Sequence, residues 1–498
     1  MRINRSTITF SAVLMVSASL AVAGHAPPAS AAPVQRIAND TIWHDTAGAE
    51  IKAQGGNVLK IGSTYYWVGA ELEPSPDPEK AVNLYSSNDL ENWTHVAAVL
   101  DQATTPGLPT GWLGRPQLNY NSNTGKFVIH VEVNGPSSNL GNALGIATAD
   151  EIGGPYTYHG SALVNGLTMG DHSVFVEGSN AYLVYVGDSA TRRNVSMNIA
   201  PLSDDWLSVQ PPIFSEGNSL YEAPGITKVG STYYLFASGK NWWNATPTSY
   251  RTSSDLVHWN TDGNAGWKWV RSEPSTPATA LSFGTQFEQL IAVTGSEGTV
   301  YLHNGDRYSQ FYAQDTAKAP GGLGRNAWYP VTFGQDGVPM LHGATDVDVD
   351  AAAGTLRWNE VANGRFGLGV ANTGIPMWTA TGTAGAARVE DDGPADRHLV
   401  VSGTGQHSSW VAQDVTLANG TYTLAFDYRS SGGHGSAFFS VKEHGGNEQR
   451  INLSAASAGW STKTMTFTVT DGRARIGFWA EGSGGKWMNV DEVSIWRQ

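Results

Sequence analysis

Lys60–Trp67 reads KIGSTYYW, and Lys228–Leu235 repeats the phrase as KVGSTYYL. In both, a Gly-Ser turn joins short runs of β-branched and aromatic residues, a pattern typical of a β-hairpin. Weaker copies follow the same plan at Thr124–Val128, Gly178–Leu183 and Glu297–Leu302. The aromatic anchors of these copies lie about 50 to 70 residues apart, which suits one four-stranded blade per copy. The sequence therefore predicts a five-bladed β-propeller.

The composition agrees with an all-β fold. The 498 residues include 58 Gly, 23 Pro, 18 Trp and 18 Tyr, and no long stretch repeats apolar residues at helical spacing. Beyond about residue 372 the pattern changes to regular alternation at Ser409–Val415, Gly420–Tyr428, Ser436–Lys442, Ser461–Val469 and Ala474–Ala480. Such strands predict a β-sandwich of the jelly-roll type, a fold that resembles the carbohydrate-binding modules of secreted hydrolases. The expected domains are residues 37–372 and 376–498.

The N-terminal residues are typical of a secretory signal peptide. Arg2 and Arg5 precede an apolar stretch from Ile8 to about Ala23, and Ala29–Ala31 supplies small residues for cleavage. The apolar stretch is interrupted by serines and is too short to span a bilayer securely, so no membrane partner is expected. We expect residues 1–31 to be removed and the protein to be secreted and extracellular.

Net charge limits the classes of binding partner, and cysteine content limits the sources of stability. The formal net charge of −14 argues against nucleic acid and acidic polymers, because neutralising phosphates and other anions requires a basic surface. Cysteine is absent, so stability must come from burial rather than from disulfides. From the net charge, neutral substrates are therefore expected.

Glu222 is the first candidate for chemistry. It stands in the phrase Tyr221–Pro224, and the alternating run that follows is typical of a strand. Because proline disfavours helix at the preceding residue, Glu222 is expected on a bend that leads into a sheet. Such a carboxylate is well placed at a pocket mouth, although a strand cap or a solvated loop acid is the alternative reading.

Together, the repeats and the Tyr221–Pro224 phrase resemble glycoside hydrolase family 43, over about residues 37–372. Further phrases are similar to its exo-β-1,3-galactanase branch: Gln54–Gly56, Arg115–Pro116, Gly305–Tyr308 and Trp328–Pro330. The resemblance implies an inverting exo-β-1,3-galactanase that acts on arabinogalactan-type polysaccharide. An arabinofuranosidase or xylosidase, and a carbohydrate-binding propeller without catalysis, stay open as alternatives.

The resemblance also implies the catalytic acids. In an inverting glycosidase, an acid protonates the leaving oxygen while a base activates water on the opposite face of the sugar. Glu222 matches the family's general acid. Asp171 matches the aspartate that adjusts the pKa of the acid, with a strand-initiating turn residue as the alternative.

The position of the catalytic base departs from the family pattern. Gly55 stands where the family usually has an aspartate, and a glycine has no group that activates water. The galactanase-like branch also lacks this aspartate, and Gln286 matches the glutamine proposed to act there instead. A neutral amide accepts a proton poorly, so Gln286 is expected to orient water. Glu288 and Gln289 lie close by as alternatives.

A second departure concerns the substrate. Galactanase-like members commonly have a glutamate immediately before the Arg-Pro phrase, where this chain has Gly114. Either another acid, with Glu132 and Glu71 as candidates, replaces that sugar contact, or the subsite accepts a different glycan. Arg115 is expected to hold a substrate hydroxyl or a catalytic carboxylate, and a surface ion pair is the alternative.

Aromatic side chains supply further candidates for substrate binding. Trp242 and Trp243 follow the hairpin of Glu222 and are expected to form a stacking wall, with one of them packed inward. In the C-terminal region the candidate sugar-stacking rings are Trp410, Tyr428, Trp460, Trp479 and Trp487, of which at least half should be core.

We predict no metal ion and no required cofactor. Asp491 and Glu492 suit either a structural calcium ion or a solvent-facing strand end, and no metal is assigned to them. Asp346, Asp348 and Asp350 alternate with valines, which predicts a solvated strand face rather than a metal loop.

Overall fold

The structure of the protein is a computed structural model that describes residues 35–72, 80–134, 142–188, 195–259, 266–274, 281–308, 323–368, 374–393 and 396–498. Strands, turns and connecting segments account for nearly all of them. The prediction of an all-β fold is confirmed. The expected signal peptide, residues 1–31, lies outside the described residues.

Strand β1 (Gln35–Ala38) pairs with strands much later in the chain, and four antiparallel sheets of four strands follow it. Within each sheet the strands pair in chain order. The first sheet contains β2 (Val58–Ile61), β3 (Thr64–Ala70), β4 (Ala81–Ser87) and β5 (Thr94–Asp101); the second contains β6 (Leu113–Asn121), β7 (Lys126–Asn134), β8 (Asn142–Ala149) and β9 (Thr157–Ala162). The third contains β10 (Thr168–Glu177), β11 (Asn180–Asp188), β12 (Ser196–Pro201) and β13 (Phe214–Gly217); the fourth contains β14 (Tyr221–Val229), β15 (Thr232–Gly239), β16 (Thr248–Ser253) and β17 (Lys268–Trp269).

The next sheet has five strands, and its edge strand β18 pairs in parallel with β22. Its strands are β18 (Arg271–Glu273), β19 (Gln286–Thr294), β20 (Thr299–Asp306), β21 (Asn326–Phe333) and β22 (Pro339–His342). A three-stranded sheet joins β1 to β23 (Asp346–Asp350) and β24 (Thr355–Trp358).

One short helical element, α1 (Leu281–Gly284), occurs in the described residues, and it is a left-handed turn with φ of 52° at Ser282 and 55° at Phe283. This turn leads directly into β19. Within the described part of the chain, no helix has the length and apolar character needed to cross a membrane.

The first strands of successive sheets lie side by side around a common centre. Strand β6 contacts β10, β10 contacts β14, and β14 contacts β19. The ring closes where Gln289 of β19 meets Val58 of β2: the Val58 amide donates to Oε1 at 2.8 Å, and Nε2 donates to the Val58 carbonyl at 3.2 Å. This closed order is that of a propeller. The count of five blades stays a prediction, since segments between the sheets lie outside the described residues.

A cluster of tryptophans consolidates the closure of the ring. Trp67, Trp93 and Trp328 are almost completely buried. Their ring centroids are 4.9 to 5.7 Å apart in edge-to-face geometry. Pairs of this kind contribute about 0.5 to 1.5 kcal/mol each beyond the burial of apolar area. The cluster therefore stabilises the junction between the first and last sheets.

The C-terminal region is a β-sandwich of two five-stranded sheets around one apolar core. One sheet contains, in spatial order, β25 (Thr379–Gly382), β28 (His407–Thr416), β33 (Arg473–Gly482), β30 (Ser436–Lys442) and β31 (Gln449–Asn452). The other contains β26 (Ala387–Gly393), β27 (Asp396–Ser402), β34 (Trp487–Arg497), β29 (Gly420–Ser430) and β32 (Ser457–Val469). Each strand expected from the alternation lies within one of these strands. The domain boundaries themselves stay a prediction.

Arg365 joins the two regions. Its Nη2 donates to Oδ1 of Asp346 at 2.8 Å, and its Nε donates to Oε1 of Glu492 in the sandwich at 3.0 Å. Asp348 likewise pairs with Arg36, Nε to Oδ1, at 2.7 Å. The expectation of a solvated face is wrong for Asp346 and Asp348, which are each 7% exposed, because arginines from elsewhere in the fold cover them.

Candidate active site

The strands that face the centre of the ring share an irregularity near their first residues. Their pairing register shifts between Gly114 and Gln117, Met169 and His172, Glu222 and Gly225, and Phe287 and Gln289. Bulges of this kind turn side chains out of the regular alternation and are common beside active sites. Arg115, Asp171, Glu222 and Glu288 all lie within these shifts. The fold thus directs charged side chains from separate sheets to one place.

The local sequence accounts for two of the bulges. Arg115 and Ala223 have positive φ angles of 47° and 54°, and each is followed by a proline, Pro116 or Pro224. Proline has no amide hydrogen for a regular ladder and is accepted at bulges and on edge strands. The Arg-Pro and Glu-Ala-Pro phrases therefore reflect backbone geometry as well as chemistry.

Arg115 is the hub of the site. It is 4% exposed, and its guanidinium donates from Nε to Oδ1 of Asp171 at 2.6 Å and from Nη1 to Oε2 of Glu288 at 2.7 Å. Its Nη2 donates to Oε1 of Gln286 at 3.1 Å. Burial alone lowers the pKa of Arg115, but the charges of Asp171 and Glu288 more than offset this and leave it raised. Arg115 therefore binds two carboxylates in the interior and is not a surface residue.

Glu222 lies beside this network with one oxygen engaged. Its Oε1 accepts from the Asn241 amide at 3.1 Å and from Nε2 of Gln286 at 3.1 Å. Burial, followed by the charge of Asp171, raises the pKa of Glu222 to about 7. Asp171 is tied to the same loop, because its Oδ2 accepts from the Ala223 amide at 2.9 Å. Glu222 therefore has a neighbour and an environment that favour its protonated form.

Gln286, the first residue of β19, is fixed at both ends of its amide. Oε1 accepts from Arg115, while Nε2 donates to Glu222 and also lies 3.4 Å from the Trp242 carbonyl. The candidate water-positioning residue is thus in direct contact with the candidate acid. Its neighbour Gln289 faces away and closes the ring at Val58.

Gly55 is required at its position by its surroundings. Its φ is 73°, and a Cβ there would lie 2.9 Å from the Tyr308 hydroxyl oxygen and 3.1 Å from the Arg115 amide nitrogen. The Gly55 amide donates to Oδ2 of Asp306 at 2.8 Å. An aspartate at this position would collide with Tyr308 and Arg115, so the place of the family's usual base is occupied by other groups.

A buried acidic pair lies behind Gly55. Glu288 and Asp306 are 2% and 1% exposed, and the Tyr308 hydroxyl donates to Oε1 of Glu288 at 2.9 Å. Burial raises the pKa of Glu288 against the opposing charge of Arg115, and Asp306 raises it further. Burial also raises the pKa of Asp306 to about 6. The pair supports Arg115 and Gly55 from beneath the site.

The structure explains why residue 114 is a glycine and not the expected glutamate. A Cβ at Gly114 would lie 2.5 Å from the Trp112 ring, so the indole takes the space of the expected glutamate. Glu132 is directly opposite Gly114 in the β6–β7 pair, and residues directly opposite in an antiparallel pair project from the same face. Asn142 donates from Nδ2 to Oε1 of Glu132 at 2.6 Å. Burial, then the charge of Asp171, raises the pKa of Glu132 to about 7.

Part of the sequence is matched by a known family. The family model for glycosyl hydrolases family 43 matches residues 52–238. The chain is a glycoside hydrolase. The resemblance inferred from the motifs is confirmed over a segment that includes Arg115, Asp171 and Glu222, whereas Gln286 lies beyond it.

The hydrolase also resembles solved exo-β-1,3-galactanases in fold. A structure from Phanerochaete chrysosporium with β-1,3-galactotriose has 23% identity and a TM-score of 0.56, covering 93% of this chain and 100% of that one. A structure from Clostridium thermocellum has 20% identity and a TM-score of 0.55, covering 92% and 99%. The likeness of fold thus extends over the propeller and the sandwich. A search of curated proteins finds no significant match.

The two tryptophans after the Glu222 hairpin of the hydrolase differ in exposure. Trp242 is 76% exposed, and its carbonyl contacts Gln286. Trp243 packs against Trp112 and Tyr308, with ring centroids 5.4 and 5.6 Å apart. As expected, one ring is packed inward, while the other stands free at the rim of the site.

The hydrolase holds several site residues for which the sequence indicated no role. Asp306 and Tyr308 lie in the Gly305–Tyr308 phrase, which was recognised as a motif without an assigned function, and Trp112 stands two residues before Gly114. The motif was the available signal, but partners distant in sequence define what these residues contact. Among the described residues, no group of three or more His, Asp or Glu side chains is arranged to hold a metal ion.

Proposed function

We propose that the protein is an inverting exo-β-1,3-galactanase that acts on arabinogalactan-type polysaccharide. The observation that carries the proposal is Glu222, a largely buried carboxyl with a pKa of about 7 beside Asp171 and Arg115. A carboxyl that stays protonated near neutral pH suits general acid catalysis, which is worth about 10² to 10⁴ in rate.

The hydrogen bonds of Glu222 indicate which of its oxygens delivers the proton. Oε1 accepts two N–H donors, from Asn241 and Gln286. The acidic proton therefore resides on Oε2, which has no hydrogen-bond partner among the described residues. Oε2 protonates the glycosidic oxygen as the bond to the anomeric carbon breaks.

Asp171 and Arg115 act through Glu222 in this proposal. The carboxylate of Asp171 disfavours a second negative charge on Glu222 and so keeps the acid protonated. Arg115 holds Asp171 in place at 2.6 Å and neutralises part of its charge. After proton transfer, Arg115 stabilises the site while both carboxylates are ionised.

Gln286 positions the attacking water. Inversion needs the water and the acid on opposite faces of the sugar, with about 6.5 to 9.5 Å between the groups that serve them. The contact of 3.1 Å between Gln286 Nε2 and Glu222 Oε1 is too short for this, so the amide releases Glu222 as the sugar enters. Arg115 retains the other end of the amide, and the second lone pair of Gln286 Oε1 then accepts a hydrogen bond from the water. As the water bonds to the anomeric carbon, its surplus proton passes to bulk solvent.

The sugar is bound by groups around this centre. Trp242 stacks on the apolar face of a sugar ring, while Trp243 supports the wall from behind. Glu132 takes the place of the glutamate absent at Gly114 and, in its neutral form, donates a hydrogen bond to a sugar hydroxyl. Arg115 acts on the same sugar indirectly, because it orients carboxylates of the site.

The choice of galactan rests on the branch motifs and on the likeness in fold to galactanases. The change at Gly114 favours arabinose or xylose as the alternative, because it alters a sugar contact. We also propose that the protein is secreted, on the basis of the basic, apolar and small-residue segments of residues 1–31.

The test compares the protein with Glu222→Gln on β-1,3-galactan, arabinan and xylan. Release of galactose by the protein, reduced about 10² to 10⁴-fold in the variant, is the expected result. Glu177→Gln is the matched control, since Glu177 pairs with Lys228 on the surface and should leave activity unchanged. Release of arabinose or xylose instead would replace the substrate assignment, and no sugar from any substrate would refute the proposed activity.

Stereochemistry is a separate test. Proton NMR early in the reaction should show the α-anomer of galactose from a β-linked substrate. A β-anomer product would exclude water attack on the face opposite Glu222 and would require a covalent intermediate.

A further inference from the structure

The outer face of one sandwich sheet carries a cavity of about 960 Å³. Arg388, Val400, Asn489 and Arg429 stand in one row across β26, β27, β34 and β29. Residues adjacent to this row in sequence are in the apolar core of the sandwich, so the row itself faces outward. The cavity thus lies on the face of this sheet opposite to that core, in the module that follows the propeller.

The charge of the cavity is opposite to that of the protein. Three cations, Arg388, Arg429 and Lys486, line it together with one carboxylate, Glu390. The whole chain, in contrast, has a formal net charge of −14. A cluster of cations on an acidic protein favours an anionic ligand by charge complementarity.

The three cations differ in how they are held. Arg388 forms an ion pair with Glu390. Arg429 is held by Asp392, at 2.7 Å from Nη2 to Oδ2, and its guanidinium lies 4.5 Å from the Trp460 ring centroid. Lys486 is half-buried and forms no ion pair among the described residues. Its ammonium is therefore available to pair with an anionic ligand, whereas the two arginines are already held by carboxylates of the protein.

Trp487 supplies an aromatic wall in the same cavity. It is half-buried, lines the cavity, and has no ring or cation partner among the described residues. Of the other candidate rings, Tyr428 is 3% exposed, Arg429 covers Trp460, and Lys442 lies 4.9 Å from the Trp410 centroid. Trp479 is half-buried but lies on the other sheet and does not line this cavity. Trp487 is thus the ring in this cavity that is free to stack on a sugar.

We propose that this cavity binds an acidic sugar, a hexuronate residue, with its ring against Trp487 and its carboxylate on Lys486. A pyranose offers an apolar face for the indole, and the carboxylate gives the charge-assisted hydrogen bond that the ammonium lacks. The hydroxyls meet Arg388 and Asn489 along the same row. The proposal does not depend on catalysis at Glu222.

The test uses the full chain with Glu222→Gln, so that bound sugars are not hydrolysed. Calorimetric titration compares methyl β-galacturonide with methyl β-galactoside. The two sugars differ only at C6, which is a carboxylate in the first and a hydroxymethyl group in the second. We expect the uronide to bind more tightly, with affinity falling as salt rises. Tighter or equal binding of the neutral galactoside, or no binding of the uronide, overturns the proposal.

Variants locate the site. Lys486→Met should weaken uronide binding about tenfold, as expected for loss of one charged hydrogen bond, while the galactoside is unaffected. Lys442→Met on the other sheet is the matched control and should leave binding unchanged. Uronide binding should also change the fluorescence of Trp487, and this signal should be absent in Trp487→Phe. Equal effects of the two lysine variants would place the uronide elsewhere. Hydrolysis by the unmodified protein is measured separately, so failure here leaves the galactanase proposal to its own test.

Discussion

Gln286 and Glu222 are joined by a hydrogen bond of 3.1 Å from Nε2 to Oε1. The bond links the first residue of β19 to the second residue of β14, on separate sheets. Because Arg115 holds the other end of the same amide, the candidate acid, its modulator Asp171 and the candidate water-positioning residue form one network. Changes to any member should therefore affect the others.

Replacing Arg115 tests the network as a whole. Arg115→Met would leave Asp171 and Glu288 without their shared cation, and breaking a buried ion pair in this way costs about 3 to 5 kcal/mol. We expect the free energy of unfolding, from denaturant titration, to fall by that amount and activity to be lost. Arg271→Met, which removes an exposed pairing with Asp336, should cost less. Equal losses would contradict the hub assignment.

The pH profile tests the acid. In its proposed role Glu222 must be protonated, and its pKa of about 7 predicts that kcat/KM falls as pH rises through about 7. Asp171→Asn removes a negative charge that raises this pKa, so the alkaline limb should move to lower pH. Burial, the larger cause, remains in the variant, so the limb should stay above the ordinary glutamate value. A limb that does not move would show that Asp171 acts otherwise.

Restoring the family's usual residue at position 55 should not restore a base. In Gly55→Asp, the backbone of residue 55 must keep a φ near 73°, and the new side chain must overlap the Tyr308 hydroxyl and the Arg115 backbone. We expect the free energy of unfolding to fall by about 2 to 4 kcal/mol, with lower activity. Gly62→Asp is the control, because its φ is 61° but no atom lies within 4 Å of its Cβ. Higher activity in Gly55→Asp would contradict the steric account.

Gly114 and Trp112 should behave as a coupled pair. Gly114→Glu alone places a Cβ 2.5 Å from the Trp112 ring, so we expect destabilisation and weaker substrate binding. Combining it with Trp112→Ala removes the clash, and a double-mutant cycle on stability should show a favourable coupling of about 0.5 to 3 kcal/mol. Additive effects would show that the indole does not decide the identity of residue 114.

Glu132→Gln tests the buried acid opposite Gly114. The folded-state pKa of Glu132, about 7, lies above its ordinary value of 4.5, so the stability that its proton supplies is present below about 4.5 and is lost as pH rises through 7. Relative to the unmodified protein, the variant should become more stable between pH 4.5 and 7.5, by up to about 3 kcal/mol. Thermal unfolding at several pH values measures this difference. A difference independent of pH would show that folding does not shift the pKa of Glu132.

Local patterns in the sequence were sufficient for the strands and for the phrases that carry chemistry. Hairpin turns and alternation are properties of neighbouring residues, so the repeats around Tyr65 and Tyr233 and the strands of the sandwich could be predicted. Glu222 and Asp171 came from motifs of a few residues. The solvated face expected for Asp346 and Asp348 was wrong, because their arginine partners lie far away in the chain.

The sequence by itself determined an all-β chain, the positions of its strands, a carboxylate phrase at Glu222 and the missing side chains at Gly55 and Gly114. Only the tertiary structure decided that Tyr308 and Trp112 fill those two places, that Arg115 joins Asp171 to Glu288, and that Gln286 contacts Glu222. The physical reason is that a pKa is raised by burial and by nearby charge, and a side chain is excluded by atoms that already fill its place. Both effects depend on contacts in space. Those contacts join residues from different sheets, which no spacing along the chain records.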